Sequence, residues 1–453
     1  MATKNPKQVV ATFIILLGLL VTGIGLGIWR QRTPGVVGVF LSEPRALGSA
    51  SPLELELHSG AANVLSFRAE LHQAQTQIQL ASLDFAGDPQ KDRVLNFTID
   101  LRESGLAEDD ALLLIYASDD LWRPKAVDRD PILRRVVRVD LTPPELTILG
   151  ATRYPEQGGA GVVAVRAEAG ARVSLRFGEE HFPAHPNPRD EKIHVAYFAL
   201  PFDADTSNVL QALATDEAGN ERVRSVDVQI RVKRFATGTV NVPEDWLRQK
   251  LPELLPDGGD IGPDDYDDAF LKLNNQMRAE AAAFKRELAT RSSSLRLWDG
   301  PFIQPRNTRV FSNFAETRDY LLAGTKVDTQ VHLGFDLASV KHAIIPAANS
   351  GRVVFVGDLG IYGTAIVVDH GQGLMTLYAH LSALNVAEGD ELKSGDEIGR
   401  SGSSGLAVGD HLHYEVLVHG IPVTPLQWWD EAWIRDHIAK PLDDAGLDTP
   451  RAH

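Results

Sequence analysis

Gly409-Asp410-His411-Leu412-His413-Tyr414-Glu415-Val416 places two histidines one residue apart, at the head of an apolar run that continues to Val418. The run alternates and is rich in β-branched and aromatic residues, so it reads as a strand. Residues i and i+2 of a strand share a face, which sets both imidazoles on one side with Cβ atoms roughly 7 Å apart. One can hold a metal while the other reaches over it. Alone, the pair would read as two surface histidines on a sheet. Two further patterns change that. Val331-His332-Leu333-Gly334-Phe335-Asp336-Leu337 sets a histidine and a carboxylate four residues apart, and Thr376-Leu377-Tyr378-Ala379-His380-Leu381 puts another histidine in an apolar strand. Eight of the 14 histidines fall between residues 332 and 437. A catalytic zinc takes three nitrogen or oxygen ligands and leaves its fourth position to water. Two histidines and an aspartate meet that count without cysteine, and such a metal lowers the pKa of its water to about 7.

The segment from about Leu297 to Trp429 resembles the lysostaphin-type (LytM-like) zinc metallopeptidases, which cut peptidoglycan peptides. The family's HxxxD stands here as His332 and Asp336, its HxH as His411 and His413, and its intervening strand histidine as His380. Glycine punctuation follows in the same order: Gly363-Thr364, Gly389-Asp390, Gly395-Asp396, Ile398-Gly399 and Gly402-Ser403-Ser404-Gly405. The resemblance implies that His332, Asp336 and His413 ligate one Zn2+ per chain. It implies that His380 and His411 are the non-ligand pair that orients or deprotonates the attacking water and stabilises the oxyanion. Chemistry suits that division, because histidine titrates in the range a proton acceptor needs, and a developing oxyanion needs a donor beside it. Which histidine of the HxH pair holds the metal comes from the resemblance, and a His/His/Asp set also suits other divalent ions. Relatives that have lost ligands serve as activators or scaffolds, whereas this chain keeps all five positions. One departure concerns the approach to the first ligand. Relatives often read Ser/Gly-x-Phe-Gly-x-Arg, where this chain reads Ser312-Asn313-Phe314-Ala315-Glu316-Thr317-Arg318. The missing glycine and the longer run to His332 bear on the groove wall.

The chain has 453 residues, enough for three or four domains. With 61 Asp+Glu against 45 Lys+Arg its formal charge is −16, which disfavours nucleic acid as a partner. No cysteine is present, so a disulfide framework and a thiolate zinc site are excluded.

Val9 to Trp29 is 21 residues without a charge. That length spans about 30 Å of hydrocarbon as a helix. A cleaved signal peptide fits less well, since the apolar core is long and no Ala-x-Ala site follows. Residues 1–35 are therefore expected to be a cytoplasmic stub and transmembrane anchor. Lys4 and Lys7 on one side and Arg30 and Arg32 on the other barely decide orientation. The wall substrate implied by the resemblance puts the catalytic end outside.

Residues 36–142 alternate in short runs, such as Leu53-Glu54-Leu55-Glu56-Leu57 and Val94-Leu95-Asn96-Phe97-Thr98-Ile99, and read as an antiparallel sandwich. Thr142-Pro143-Pro144 breaks the run, and residues 143–235 form a second β module. Ala212-Leu213-Ala214-Thr215-Asp216 in it echoes Ile115-Tyr116-Ala117-Ser118-Asp119, and the pattern resembles bacterial immunoglobulin-like envelope domains, more weakly in the first module. These modules either space the enzyme from the membrane or bind wall or a partner. His181, His185 and His194 read as surface or loop residues. Residues 236–296 read as a linker with an amphipathic helix over 264–290, started by Pro263-Asp264-Asp265. Its stripe of Tyr266, Phe270, Leu273, Met277, Ala281, Phe284 and Leu288 either packs on a neighbour, lies over the groove, or docks an envelope or division-complex partner.

Residues 297–430 read as a mostly antiparallel-β peptidase domain. Tyr378 and Tyr414 read as packing residues with groove lining as the alternative, His370 reads as a turn residue, and His342, His419 and His437 lack a partner pattern. Ala432 to Lys440 suits a short helix, and within residues 431–453 the tail from Leu442 reads as frayed.

The expectation is a mainly β protein: a membrane-anchored zinc metalloendopeptidase of the bacterial inner membrane, single-pass, with its catalytic domain on the periplasmic or extracellular side. Its substrate would be a peptide bond in the peptidoglycan stem or cross-bridge. The alternative is a non-hydrolytic envelope factor that binds peptidoglycan or activates another hydrolase.

Overall fold

The computed structural model describes residues 15, 17–25, 35–60, 62–121, 130–254 and 266–450. The chain divides into two compact units, Met1–Pro144 with Thr215–Arg222, and Glu145–Ala214 with Val223–His453. Of the expected anchor, residues 15 and 17–25 are helical with exposed side chains, and the rest of Val9 to Trp29 lies outside the described residues. Among the described residues, no helix is long and apolar enough to cross a membrane.

In the first unit, a three-stranded sheet runs in the order Val37–Phe40, Ser51–His58, Asp92–Ile99, and a five-stranded sheet in the order Ala46–Leu47, Leu133–Val139, Asp110–Asp119, Val64–Gln73, Thr76–Asp84. Alternation decides what each face does. Leu53, Leu55 and Leu57 are fully buried while Glu54 between them is exposed. They pack with Phe67, Leu71, Leu113 and Ile115 of the other sheet in one core.

The second unit opens with a four-stranded sheet ordered His185–Asn187, Asp190–Ala199, Ala160–Ala167, Leu146–Ala151. Ala160–Ala167 is apolar at nearly every position because both of its faces are covered, so it does not alternate. Its hydrophobic core runs without a break into the C-terminal region, from Tyr197 and Phe198 to Trp298, Phe302, Tyr414 and Trp428. Trp428 carries that junction: its ring lies 5.6 Å from Trp298, 5.4 Å from Phe302 and 6.4 Å from Tyr197. The Gln427 side chain accepts the Ala160 amide at 3.0 Å.

The C-terminal region is built on an eight-stranded sheet. Its path is Arg309–Ser312, Phe335–Ala338, Leu412–Val418, Leu374–Ala379, Thr364–Gly371, Gly351–Asp358, Glu391–Leu392, with Ile421–Val423 added beside Leu412–Val418. A three-stranded sheet stands next to it, in which Thr237–Val242 pairs in parallel with Glu316–Leu322, and Glu316–Leu322 pairs antiparallel with Thr325–His332. Within the stretch read as a linker, Glu244–Leu254 is a helix whose Leu247 and Leu251 are buried with Phe270, Leu273, Tyr320 and Leu322. The long helix is described over Tyr266–Ala289, and its expected start at Pro263-Asp264-Asp265 lies outside the described residues. Its stripe packs: Phe270, Leu273, Ala281 and Leu288 are buried, and Phe284 meets Phe355 edge-on at 4.9 Å.

Tyr378 and Tyr414 are fully buried with ring centres 5.4 Å apart, and they pack as expected. Several smaller expectations are corrected. His370 sits inside Thr364–Gly371 and is buried, with Nδ1 on the Ser350 carbonyl and Nε2 on the Thr376 hydroxyl, and burial pushes its pKa down to about 4. His181 is exposed, but His194 is buried and the His185 ring stacks on His419. The tail does not fray at Leu442. Helical turns continue through Lys440–Asp444, Leu442 is buried, and Arg189 pairs with Asp448.

Candidate metal centre

Register assembles the centre. Asp336 of Phe335–Ala338 lies directly opposite His413 of Leu412–Val418, and His413 in turn lies opposite Ala379 of Leu374–Ala379. Directly paired residues on one face have Cβ atoms about 5 Å apart. Three neighbouring strands therefore deliver Asp336, His413 and, one residue past its strand end, His380 to the same spot. His332 ends Thr325–His332 and returns to Asp336 through Leu333-Gly334. Gly334 is required there, because a Cβ would fall 2.7 Å from His413 Nε2 and 2.6 Å from the Tyr414 carbonyl oxygen.

His332, Asp336 and His413 are all buried and form a potential metal-holding group. His332 Nε2 and His413 Nδ1 are 3.0 Å apart, and each is 2.9 Å from Asp336 Oδ1. The outer partners decide what these atoms are. His332 Nδ1 lies 2.9 Å from the Asn313 carbonyl, which can only accept, so its proton is there and Nε2 carries a lone pair. His413 Nε2 lies 3.0 Å from Glu415 Oε1, so its proton is there and Nδ1 carries a lone pair. Arg318 donates to Asp336 Oδ2 at 3.1 Å, which leaves Oδ1 facing inward. Three lone pairs meet within about a water's width with their protons turned outward, an arrangement that repels itself unless a cation sits among them. The residues fit a divalent metal of the nitrogen/oxygen class.

The ionisation of the free side chains points the same way. Burial opposes a charge on Asp336, but His332 and the hydrogen bonds of the surrounding histidines outweigh it and hold the carboxyl well below the usual carboxylate range. Burial lowers His332. Burial also works against a charged His413, but the carboxylates of Asp336 and Glu415 more than offset it and raise its pKa. In the metal-free side chains that favours a proton at Nδ1, the place where a bound cation would displace it.

His380 and His411 stand beside the triad, their rings 4.8 Å apart, with His380 5.8 Å from His413. His380 has φ +60°, a strained conformation for a non-glycine residue. Its Nδ1–H donates to the Ser404 carbonyl at 2.8 Å, which leaves Nε2 as an acceptor. Burial, with His411 and His413 nearby, drives its pKa down to about 3. His411 Nδ1 lies 2.7 Å from the Gly409 carbonyl, and its Nε2 is 3.6 Å from Asp336 Oδ1. All five residues line one groove of about 600 Å³. Gly238 to Val242, Trp246, Arg318, Tyr320 and Leu406 to Asp410 also line that groove. The Trp246 indole donates to the Ala407 carbonyl at 3.3 Å.

Four supporting residues carried no role in the sequence reading: Arg318, Tyr362, Lys285 and Glu415. Glu415 was legible in principle, since 411, 413 and 415 share a face of one strand. Lys285 also left a signal, as a cation three residues before Leu288 and four after Ala281 on an otherwise apolar stripe. The departure before His332 has a local cost. Ala315, where relatives carry glycine, adopts φ +58°.

Residues 330–425 match peptidase family M23. Over 97 residues the chain is 42% identical to the DD-carboxypeptidase/endopeptidase Mpg of Neisseria meningitidis serogroup B, which covers 21% of this chain and 22% of that protein. It is also 33% identical over 125 residues to the murein hydrolase activator NlpD of Salmonella dublin, covering 27% of this chain and 30% of that one. The catalytic domain of the antimicrobial peptidase lysostaphin from Staphylococcus simulans aligns over 27% of this chain and 92% of its own, with 26% identity and a TM-score of 0.24. The C-terminal part of this chain is a peptidase family M23 domain of the LytM type. The match spans less than a third of the length of these two curated relatives.

Proposed function

We propose that this protein is a zinc metalloendopeptidase that hydrolyses a peptide bond in the stem or cross-bridge of peptidoglycan. The observation that carries the reading is the trio of inward lone pairs on His332, Asp336 and His413, with each outward proton already engaged. When bound there, zinc would supply an activated water near neutral pH and polarise a carbonyl. The chain's own groups do the rest. His380, kept uncharged by burial and presenting Nε2, accepts a proton from the attacking water. His411, when its ring carries a second proton on Nε2, donates toward the oxygen on which negative charge develops. Arg318 orients Asp336. Peptidoglycan as the substrate is supported by the similarity to Mpg over the M23 segment.

We place the protein at the bacterial cytoplasmic membrane, anchored through residues 9–29 with the M23 domain outside, on the strength of the uncharged run Val9 to Trp29. The similarity to NlpD keeps the activator reading as the rival. An activator has no use for five intact polar positions and a proton-ordered ligand set, so the enzyme reading is favoured. The test is metal content and release of peptide fragments from purified sacculi by the full chain. Wild type should carry about one zinc and solubilise sacculi, and His413→Ala should lose both. Wild type that holds no zinc, or a His413→Ala form that digests sacculi as fast, refutes the reading.

A further inference from the structure

Lys285 is an oddity of the long helix. It lies on the apolar face between Ala281 and Leu288, and its side chain is 2% exposed. Its Nζ donates to Glu415 Oε2 at 2.8 Å and to the Tyr362 hydroxyl at 3.0 Å. Tyr362 donates to Glu415 Oε1 at 2.6 Å, and that same oxygen accepts His413 Nε2–H at 3.0 Å. Glu415 is fully buried, and its carboxylate is held by Lys285, Tyr362 and His413. A continuous chain of charge-assisted bonds thus runs from the helix to a residue of the metal centre.

We propose that Lys285 is a positioning residue of the metal centre: by clamping Glu415 it ties the seating of helix Tyr266–Ala289 to the orientation of His413, so helix docking and metal binding strengthen one another. The proposal rests on the zinc reading above. Its logic is geometric. Glu415 has one oxygen for His413 and Tyr362 and one for Lys285. With Oε2 held, the carboxylate cannot turn away from the imidazole, and His413 keeps Nδ1 aimed at Asp336. An outer partner of a metal-binding histidine fixes tautomer and ring angle, and its loss weakens metal binding about 10–100-fold. What differs here is the source of the clamp. The helix ends some forty residues before the matched segment of 330–425, so a ligand inside the M23 domain is set by an element outside it. Coupling between two sites is reciprocal by thermodynamic necessity. Zinc should hold the helix down as much as the helix holds zinc.

The experiment uses the full chain, with zinc affinity read by chelator competition and amide hydrogen exchange over residues 277–289 read with and without zinc. In the wild type, zinc should slow exchange in that stretch. Lys285→Met, which keeps length and apolar volume, should weaken zinc binding about 10–100-fold. It should also remove the zinc dependence of exchange. Because a lone buried Glu415 could unfold the single variant, Lys285→Met/Glu415→Gln restores neutrality, and it should fold yet bind zinc as weakly. Wild-type affinity in a folded variant of either kind, or helix exchange in the wild type that ignores zinc, overturns the proposal. Failure of wild type to bind zinc at all overturns the function reading itself, and this inference with it.

Discussion

Two stretches of the second unit build the same groove by different means. Residues 330–425 supply the inward-facing atoms of His332, Asp336 and His413 from strands whose register sets them opposite one another. Thr237–Val242 and the two helices up to Ala289 supply a wall and one buried cation, through a parallel edge strand and a long side chain. The first works by strand geometry, two residues along a strand or straight across a ladder. The second depends on side chains that reach in from outside that ladder. Recognisable motifs therefore report which atoms meet, and say little of what holds them still.

The sharpest division is inside the matched stretch. His380→Ala should leave zinc content intact and cut hydrolysis by roughly 10²–10⁴-fold, the usual share of a general acid–base group. Loss of zinc in that variant would make His380 part of the holding set and erase the distinction between reacting and binding residues. Next comes Gly334→Ala. Its new methyl must displace the His413 ring or the Tyr414 carbonyl, so zinc affinity should fall by about tenfold or more, on the scale of an outer-partner loss. Chelator competition checks it, and unchanged affinity would show that the tight approach is not what fixes the ligand. The smallest effect belongs to the groove wall. Ala315→Gly relieves a left-handed alanine but loosens the unfolded chain, so stability in urea should rise by less than about 1 kcal/mol. A clear loss of stability would mean that the Ala315 methyl packs usefully despite its backbone.

Much of this was legible before any coordinates. His332, Asp336, His380, His411 and His413 could be picked out because strand period and fixed glycines leave a short-range imprint. Leu53, Leu55 and Leu57 were equally plain, since one face of that sheet is dry and the other wet. Legibility failed where burial is two-sided or the partner is far along the chain. Leu374–Ala379 and Leu412–Val418 are buried on both faces, so no alternation along them tells one face from the other. Lys285 interrupts its apolar stripe, but nothing near it in the chain names its partner Glu415, 130 residues away. Removing one member of such a pair typically costs about 3–5 kcal/mol. That makes it a large term with almost no local signature. His194 and His185 were misjudged for the same reason: prolines and charges around them suggested a loop, and the tertiary fold covered them.

The parallel pairing of Thr237–Val242 with Glu316–Leu322 has a practical corollary. A recombinant fragment that begins after Val242 but keeps Glu316–Leu322 would shed that neighbour and bare a row of backbone amides and carbonyls along Glu316–Leu322. Bare sheet margins of this sort recruit further copies of themselves. Trimmed preparations would then report on self-associated material, and a low turnover measured on them would describe the truncation more than the native protein.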